Sequence, residues 1–376
     1  MQHDPKYRFP WRTGNRFTLL CDGDRFFPRM LEAIASARRY ILLEMYLFES
    51  GCVADRFIEA LDRATRRGVS VCLLLDGFGA HGLRPRDRDR LAAAGVEIRD
   101  YNPLFSGPLR RNLYRDHRKL LLVDGTVAFT GGVGLTDDFD PSVRHTRHWH
   151  ETVIEIRGPC VRDWQALFAD TWRRWGDSPL ALPMPDAAPE PAGLPGRVVI
   201  AEPGRPELKR SFLKRIRAAE RRVWMATAYF VPSWKVRRAL RHAARQGRDV
   251  RLLLPGPLTD HPAVRHAGRR FYARLLRHGV RIFEYQPSFL HAKLVLCDDW
   301  ISLGSCNLDR WNLRWNLDAN QEIGGAPFAA GVQAMFERDF ANSEEIHYAT
   351  WRRRSWRSRL LEWFWGRVDI WLDRYR

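Results

Sequence analysis

The sequence predicts an α/β protein built from two like halves. Three observations carry that prediction. The chain repeats itself once, each copy alternates apolar runs with amphipathic helical patterns, and the central run of each copy is apolar, broken only by Arg251 in the second. Residues 41–48, ILLEMYLF, correspond to 223–230, VWMATAYF, and residues 60–77 correspond to 239–256. GVEIRDYNP at 95–103 matches GVRIFEYQP at 279–287, and HRKLLLVDG at 117–125 matches HAKLVLCDD at 291–299. The offset is 179 at Gly68 and Gly247, 184 at Gly95 and Gly279, and 174 at His117 and His291. The first copy therefore carries ten extra residues between Pro103 and His117.

Each copy reads as apolar strand, amphipathic helix, Gly, strand, helix, Gly, strand. The spacing predicts a helix over 56–67, with Phe57, Ile58, Leu61 and Ala64 on one stripe and Arg63, Arg66 and Arg67 opposite. Runs 71–75 and 250–254 are short and apolar, the second interrupted only by Arg251, as expected for strands inside a largely parallel sheet covered on both faces. Alternation of this kind gives an α/β sandwich per half. Six prolines fall within 178–196, which reads as a semi-extended linker. The expected organisation is a first half 1–177, a linker 178–196, a second half 197–347 and a tail 348–376.

The tail has its own pattern. Trp356, Leu360, Trp363, Phe364, Val368 and Trp371 recur at helical spacing, and Arg352, Arg353, Arg354, Arg357 and Arg359 cluster at its start. This is the pattern of a helix lying in a membrane interface; the alternative is a terminal helix docked on the core. The motif residues lie outside it, so it is expected to set membrane affinity and not chemistry.

Composition narrows the partners. The 376 residues carry a formal net charge of +18, and of the 62 basic residues only Lys6, Lys119, Lys209, Lys214, Lys235 and Lys293 are lysines. Such a surplus favours a polyanion, either nucleic acid or an anionic membrane surface. The 15 tryptophans suit a headgroup interface at least as well as a nucleic-acid groove. No stretch approaches about 18 uncharged apolar residues, so a spanning helix is not expected and membrane contact is expected to be peripheral. The opening MQHDPKYRFPWRTG has no apolar core of signal-peptide length. The six cysteines form no CxxC, so neither a disulfide framework nor a cysteine zinc site is expected, and a reducing compartment is.

The chemistry concentrates in one duplicated motif. His117-Arg-Lys119 and His291-Ala-Lys293 each place a His and a Lys two apart, which in extended chain puts both on one face. Asp124 and Asp298 follow each lysine by five residues, and Asp124-Gly125 marks a hairpin turn. Gly131-Gly-Val-Gly134 and Gly304-Ser-Cys-Asn307 come next. Two of the six lysines fall in this motif, where a compact point charge is wanted. His145, His148 and His150 cluster nearby without the spacing of a zinc site, and read as a basic loop at the cleft mouth.

The duplicated H-x-K-x4-D followed by G-S-x-N resembles the phospholipase D superfamily. The resemblance covers about residues 11–345 and is greatest to the bacterial cardiolipin synthases of the shorter type, without N-terminal transmembrane helices. ILLEMYLF, LLLDGFG, HRKLLLVDGTVAFTGG, AYFVP and LHAKLVLCDDWISLGSCNLDRWNLRWNLDAN carry it. It implies two phospholipase D-like α/β/α sandwich halves related by a pseudo-twofold axis with one active site at the seam, followed here by the C-terminal amphipathic helix. It also implies a phosphatidyltransferase with phosphatidylglycerol as acceptor and phosphatidylethanolamine as a further candidate substrate. The working place would be the cytoplasmic face of the bacterial inner membrane, attached peripherally, with no nucleic-acid partner. A phosphodiesterase or nuclease of the same superfamily is the alternative, and a non-catalytic membrane-binding protein a third.

Residue types give the chemistry. Lys119 and Lys293, with Ser305 and Asn307, can bind phosphate oxygens and offset the charge of the transition state. One neutral imidazole attacks phosphorus and the other acts as acid and then base. The resemblance makes His117 the nucleophile and His291 the acid/base; the residues alone leave that open. Glu151, Asp318, Asp124 and Asp298 are candidates to orient the imidazoles, Glu151 and Asp318 also lying with the substrate-binding set. No cofactor or metal is expected, because the lysines supply the charge. The first half departs from the pattern: Gly132 and Gly134 stand where the superfamily has Ser and Asn, so its oxygen contacts are expected to be fewer. One residue fewer between Asp298 and Gly304 than between Asp124 and Gly131 implies a tighter second hairpin.

Overall fold

The computed structural model describes residues 4–104, 113–143, 148–176, 180–307, 309 and 315–374, with side chains as far as residue 368 in the last helix. His145, Pro179, Trp371 and most of the ten-residue insertion lie outside the described residues or side chains.

The two halves have one strand order. In the first it runs Glu97–Tyr101, Ser70–Asp76, Tyr40–Met45, Leu120–Val123, Val127–Gly131, Thr152–Arg157, Arg12–Cys21. In the second it runs Arg281–Tyr285, Asp249–Pro255, Arg222–Ala226, Leu294–Cys297, Trp300–Gly304, Asp318–Gly324, Leu194–Glu202, with Ser343–Glu345 added outside. Arg12–Cys21 and Leu194–Glu202 pair antiparallel, which joins both runs into one sheet and relates them as a pseudo-twofold would.

The sheet is mixed, not largely parallel. Only the outer three strands of the repeated order are mutually parallel in each half. Runs 71–75 and 250–254 lie in the middle of those blocks. The motif strands are antiparallel because a tight turn joins each pair, leaving no room for a crossover helix. The second turn is indeed shorter, spanning 298–299 against 124–126.

Helices cover both faces, which is why the inner strands need no polar alternation. In the first half Leu43, Leu73 and Leu121 face Phe26, Phe27, Phe57 and Leu61 from helices Gly23–Ser36 and Cys52–Arg66. Their strand neighbours Leu42, Leu74 and Leu122 point the other way, into a cluster with Trp164, Leu167 and Phe168 of helix Cys160–Arg174. That same cluster takes in Trp224, Leu253, Phe336 and Phe340 of the second half, so one apolar core runs under the seam. Val223, Met225 and Leu252 complete the other face against Phe212 and Leu240.

The stretch 180–193 has no helix or strand but is laid on the core: Gln165 donates to the Pro183 carbonyl and Glu190 N–H to the Gly14 carbonyl. Helix Pro262–Arg269 is tied to the sheet by Arg265 and Arg269, both paired with Glu284. The last helix, Trp356–Arg374, packs on it. No described helix is long and apolar enough to cross a membrane.

Candidate active site

Each motif histidine is carried by one half and held by the other. His117 N–H donates to the Leu317 carbonyl at 2.9 Å, and His291 N–H donates to the His150 carbonyl at 2.8 Å. The residue after each of those carbonyls is an acid. His117 Nδ1 bonds Asp318 Oδ1 at 2.9 Å, and His291 Nδ1 bonds Glu151 Oε2 at 2.6 Å. A carboxylate only accepts, so each Nδ1 carries the proton and each Nε2 is left with its lone pair. Both rings line one cavity of about 500 Å³.

The lysines follow the same plan. Lys119 Nζ donates to the His117 carbonyl at 2.6 Å and lies 4.9 Å from the centre of the Tyr46 ring. Lys293 Nζ donates to the His291 carbonyl and stands 3.5 Å from Glu151 Oε2. The residue between His117 and Lys119 turns away: Arg118 is fully buried and bonded to Asp116, Glu44 and Thr171. Alternation thus sends two side chains to the cavity and one to an ionic anchor.

Burial shapes the charges. It lowers both imidazoles, helped at His117 by Lys119 and at His291 by Lys293, so both rest neutral. Burial and the facing Lys293 bring Lys119 down to about 7; Lys293 is also lowered by burial, against the pull of Glu151. Burial pushes Asp318 up, but the hydrogen bonds from His117 and the Ser305 hydroxyl, with the charge of nearby Lys119, outweigh that and hold it low. Glu151 is raised by burial despite Lys293.

The halves differ at one point. Ser305 Oγ donates to Asp318 Oδ1 at 2.6 Å. In the first half a Cβ added at Gly132 would come within 2.1 Å of Glu151 Oε2 and 2.9 Å of Lys293 Nζ. Glu is one methylene longer than Asp, and it fills the space that a serine would need. The missing hydroxyl and the longer acid are one substitution seen from two sides. Asn307 has a side-chain amide that is buried, on the cavity wall and without a hydrogen-bond partner among the described residues.

Two expected catalytic residues lie elsewhere. Asp124 accepts backbone N–H bonds from Arg38, Arg39 and Tyr40 at 2.8–2.9 Å. Asp298 does the same for Glu220, Arg221 and Arg222 at 2.7–2.9 Å. Both have positive φ, 53° and 51°, at the turn end of the motif strand, roughly 20 Å along an extended chain from their histidines. They fix the start of the neighbouring strand and do not reach across the seam. Glu151 and Asp318 are wholly buried and hydrogen-bonded to the imidazoles.

The cavity also has walls that the motifs did not mark: Tyr46, Trp149, Tyr229 and Asp260. Tyr46 lies 4.9 Å from the His117 ring and Trp149 5.0 Å from the His291 ring. Tyr46 and Tyr229 fall near the ends of the repeated runs 41–48 and 223–230, a signal present in the sequence. Trp365 and Val368 of the last helix line it too, so the tail is not separate from the site as expected.

The chain matches the family described as cardiolipin synthase, PLD-like domain, over residues 30–172 and 212–340. The chain belongs to the cardiolipin synthase family of phospholipase D-like proteins. Cardiolipin synthase A of Pseudomonas aeruginosa is 37% identical over 347 residues, 90% of this chain and 70% of that protein. Cardiolipin synthase 1 of Bacillus cereus is 31% identical over 360 residues, 92% and 70% of the two chains. The fold is shared with a phosphatidylserine synthase from Haemophilus influenzae, TM-score 0.71 at 12% identity over 96% of both chains. As a cardiolipin synthase family member it is a phosphatidyltransferase acting on phospholipids.

His150 proves to be no mouth-of-cleft loop residue. Its Nδ1 bonds Asp22 at 2.8 Å and its Nε2 bonds Asp339 at 3.1 Å, so both nitrogens donate and the ring is an imidazolium. It is buried, stacked on Tyr285, and clamps the first half to the second beside Glu151. The two carboxylates outweigh burial and raise it to about 10.

Two outcomes are expected. Asp124→Ala and Asp298→Ala each strand three backbone donors and cost about 1–3 kcal/mol in denaturant unfolding, with turnover per folded molecule retained. Turnover lost at unchanged stability would return these acids to the catalytic set. His150→Gln costs about 3 kcal/mol at pH 6, where the charge is present in folded and unfolded states alike. The raised affinity for the proton is lost as pH climbs from the unfolded value near 6.5 through about 10, so the gap between parent and variant narrows across that window. A gap independent of pH would mean that the ring is neutral.

Proposed function

We propose that this protein makes cardiolipin by transferring a phosphatidyl group to phosphatidylglycerol through a phospho-histidine intermediate. The observation that carries the reading is the pair of histidines exchanged across the seam, each bonded to an acid and beside a lysine, with both rings in one cavity. The other walls, from Leu47, Val231, Val264 and Ala267, are apolar and suit acyl chains better than a nucleotide.

In the first step His117 Nε2 attacks phosphorus while Lys119, Lys293 and Asn307 hold the non-bridging oxygens. A phosphodiester anion beside His291 raises its proton affinity, so that His291 arrives protonated and gives the proton to the leaving glycerol alkoxide. The P–O bond to the headgroup breaks as the N–P bond forms. In the second step the hydroxyl of the acceptor yields its proton to His291 and attacks phosphorus, and the N–P bond breaks. One phosphodiester is exchanged for another, so no energy-rich cofactor is needed. Ser305, Glu151 and Asp318 keep the reacting rings oriented. The work is done at the cytoplasmic face of the inner membrane, where the +18 charge meets an anionic surface.

Purified protein given phosphatidylglycerol vesicles should yield cardiolipin and glycerol in equal amounts; phosphatidic acid alone would make it a hydrolase. With a donor whose leaving group needs no proton, His291→Asn should still accumulate a covalent lipid adduct, stable to an alkaline denaturing quench and released by acid as an N–P bond is, and His117→Asn should not. Labelling in the reverse pattern exchanges the two roles.

Lys119 loses its charge as pH rises through about 7 in the free enzyme, so kcat/KM should fall above that point. Lys119→Arg cannot lose its proton, so a pH profile of this variant should lack the alkaline limb, at a lower plateau. An unchanged limb would assign it to another group.

A further inference from the structure

We propose that the helix Trp356–Arg374 is the surface by which the enzyme docks on an anionic phospholipid bilayer, and that its inner side is a wall of the reaction cavity. The proposal rests on the substrate being a phospholipid, and it adds where the bilayer sits relative to the site.

The helix is amphipathic in the wrong sense for water. Trp356, Leu360, Leu361, Trp363 and Phe364 are 68, 52, 44, 61 and 49% exposed. They make up five of the nine exposed large hydrophobic residues among those described. At 3.6 residues per turn they span an arc of about 160°. Its docked side carries the charge instead. Glu362 is 3% exposed, 2.7 Å from Arg354 and 3.7 Å from Arg269. Arg270 donates to the Gly366 carbonyl, and a Cβ at Gly366 would meet Arg270 Cδ at 2.8 Å, so the helix approaches as closely as glycine allows. A helix that buries its carboxylate and presents tryptophan outward has been fitted to a non-aqueous medium.

Two further observations name that medium. Arg357, Arg359 and Arg367 are exposed along the same helix, with Arg357 and Arg367 each 5.8 Å above the rings of Trp356 and Trp363. Cations among interfacial aromatics match an anionic headgroup layer. The apolar face is also continuous with the cavity: Trp365 and Val368 line it beside Ala263, Val264 and Ala267 of helix Pro262–Arg269. A lipid moving from the bilayer past the helix meets apolar wall until it reaches the histidines.

The test uses the full chain and vesicles of phosphatidylglycerol and phosphatidylcholine in equal parts. The triple variant Trp356→Ser, Trp363→Ser, Phe364→Ser should melt at the parent temperature, since the replaced groups are exposed. It should partition on the order of a hundredfold more weakly in sedimentation. Trp365→Ala should sediment with vesicles like the parent, yet raise KM for long-chain phosphatidylglycerol about tenfold more than for a short-chain analogue. Parent-like sedimentation of the triple variant overturns the docking surface. A triple variant that changes only the oligomeric state overturns it in favour of a second copy of the chain. A Trp365→Ala enzyme with no chain-length dependence overturns the wall. Vesicle binding by the parent without cardiolipin formation sinks the activity reading and leaves the docking surface standing.

Discussion

The constraint on which everything else depends is that neither half owns a complete catalytic unit. Each imidazole takes its backbone anchor and its orienting carboxylate from the other half, through two nearly identical arrangements 2.6–2.9 Å in length. The continuous sheet, the shared core under the seam and the His150 clamp all act on the relative position of the halves. A shift of one half by an ångström would lengthen both histidine–acid bonds together. The polar cost of burying two lysines, two acids and two imidazoles is met only in that one alignment, because each group is the partner that another requires.

Much of this was legible in the sequence, for definite reasons. Duplication exposed the motif, since a His and Lys recurring at the same place in two copies have a shared cause. Apolar runs at 71–75 and, but for Arg251, at 250–254 marked strands covered on both faces, and both lie inside parallel blocks. Glu151 and Asp318 were two of four candidate acids, named by their position in the family pattern, and they are the two bonded to the histidines. Asp124-Gly125 marked a hairpin, and the motif strands do pair antiparallel across it; the largely parallel sheet expected from the apolar runs was the part that failed.

Asp124 and Asp298 show where pattern misleads. Their fixed distance from the lysine suggests shared chemistry, but the spacing is that of a strand length. The turn needs a residue that tolerates positive φ and can accept three N–H bonds, and aspartate does both. The tail was half legible. Periodicity gave the helix and its apolar stripe; which side would dock depended on Arg269, Arg270 and Glu284, distant in sequence and visible only in three dimensions.

The exchange of Ser and Asp for Gly and Glu between the halves reaches further than packing. The phosphorus of a phosphodiester is prochiral, and a site with true twofold symmetry would treat its two non-bridging oxygens alike. Here a lysine stands on each side, but the Asn307 amide and the Ser305 hydroxyl belong to the second half, while the first offers Gly132 and Gly134. A phosphodiester held between the two histidines would therefore face unlike donors on its two sides. Such a site would distinguish the two prochiral oxygens of phosphorus, and the duplicated architecture would become a stereochemically defined one.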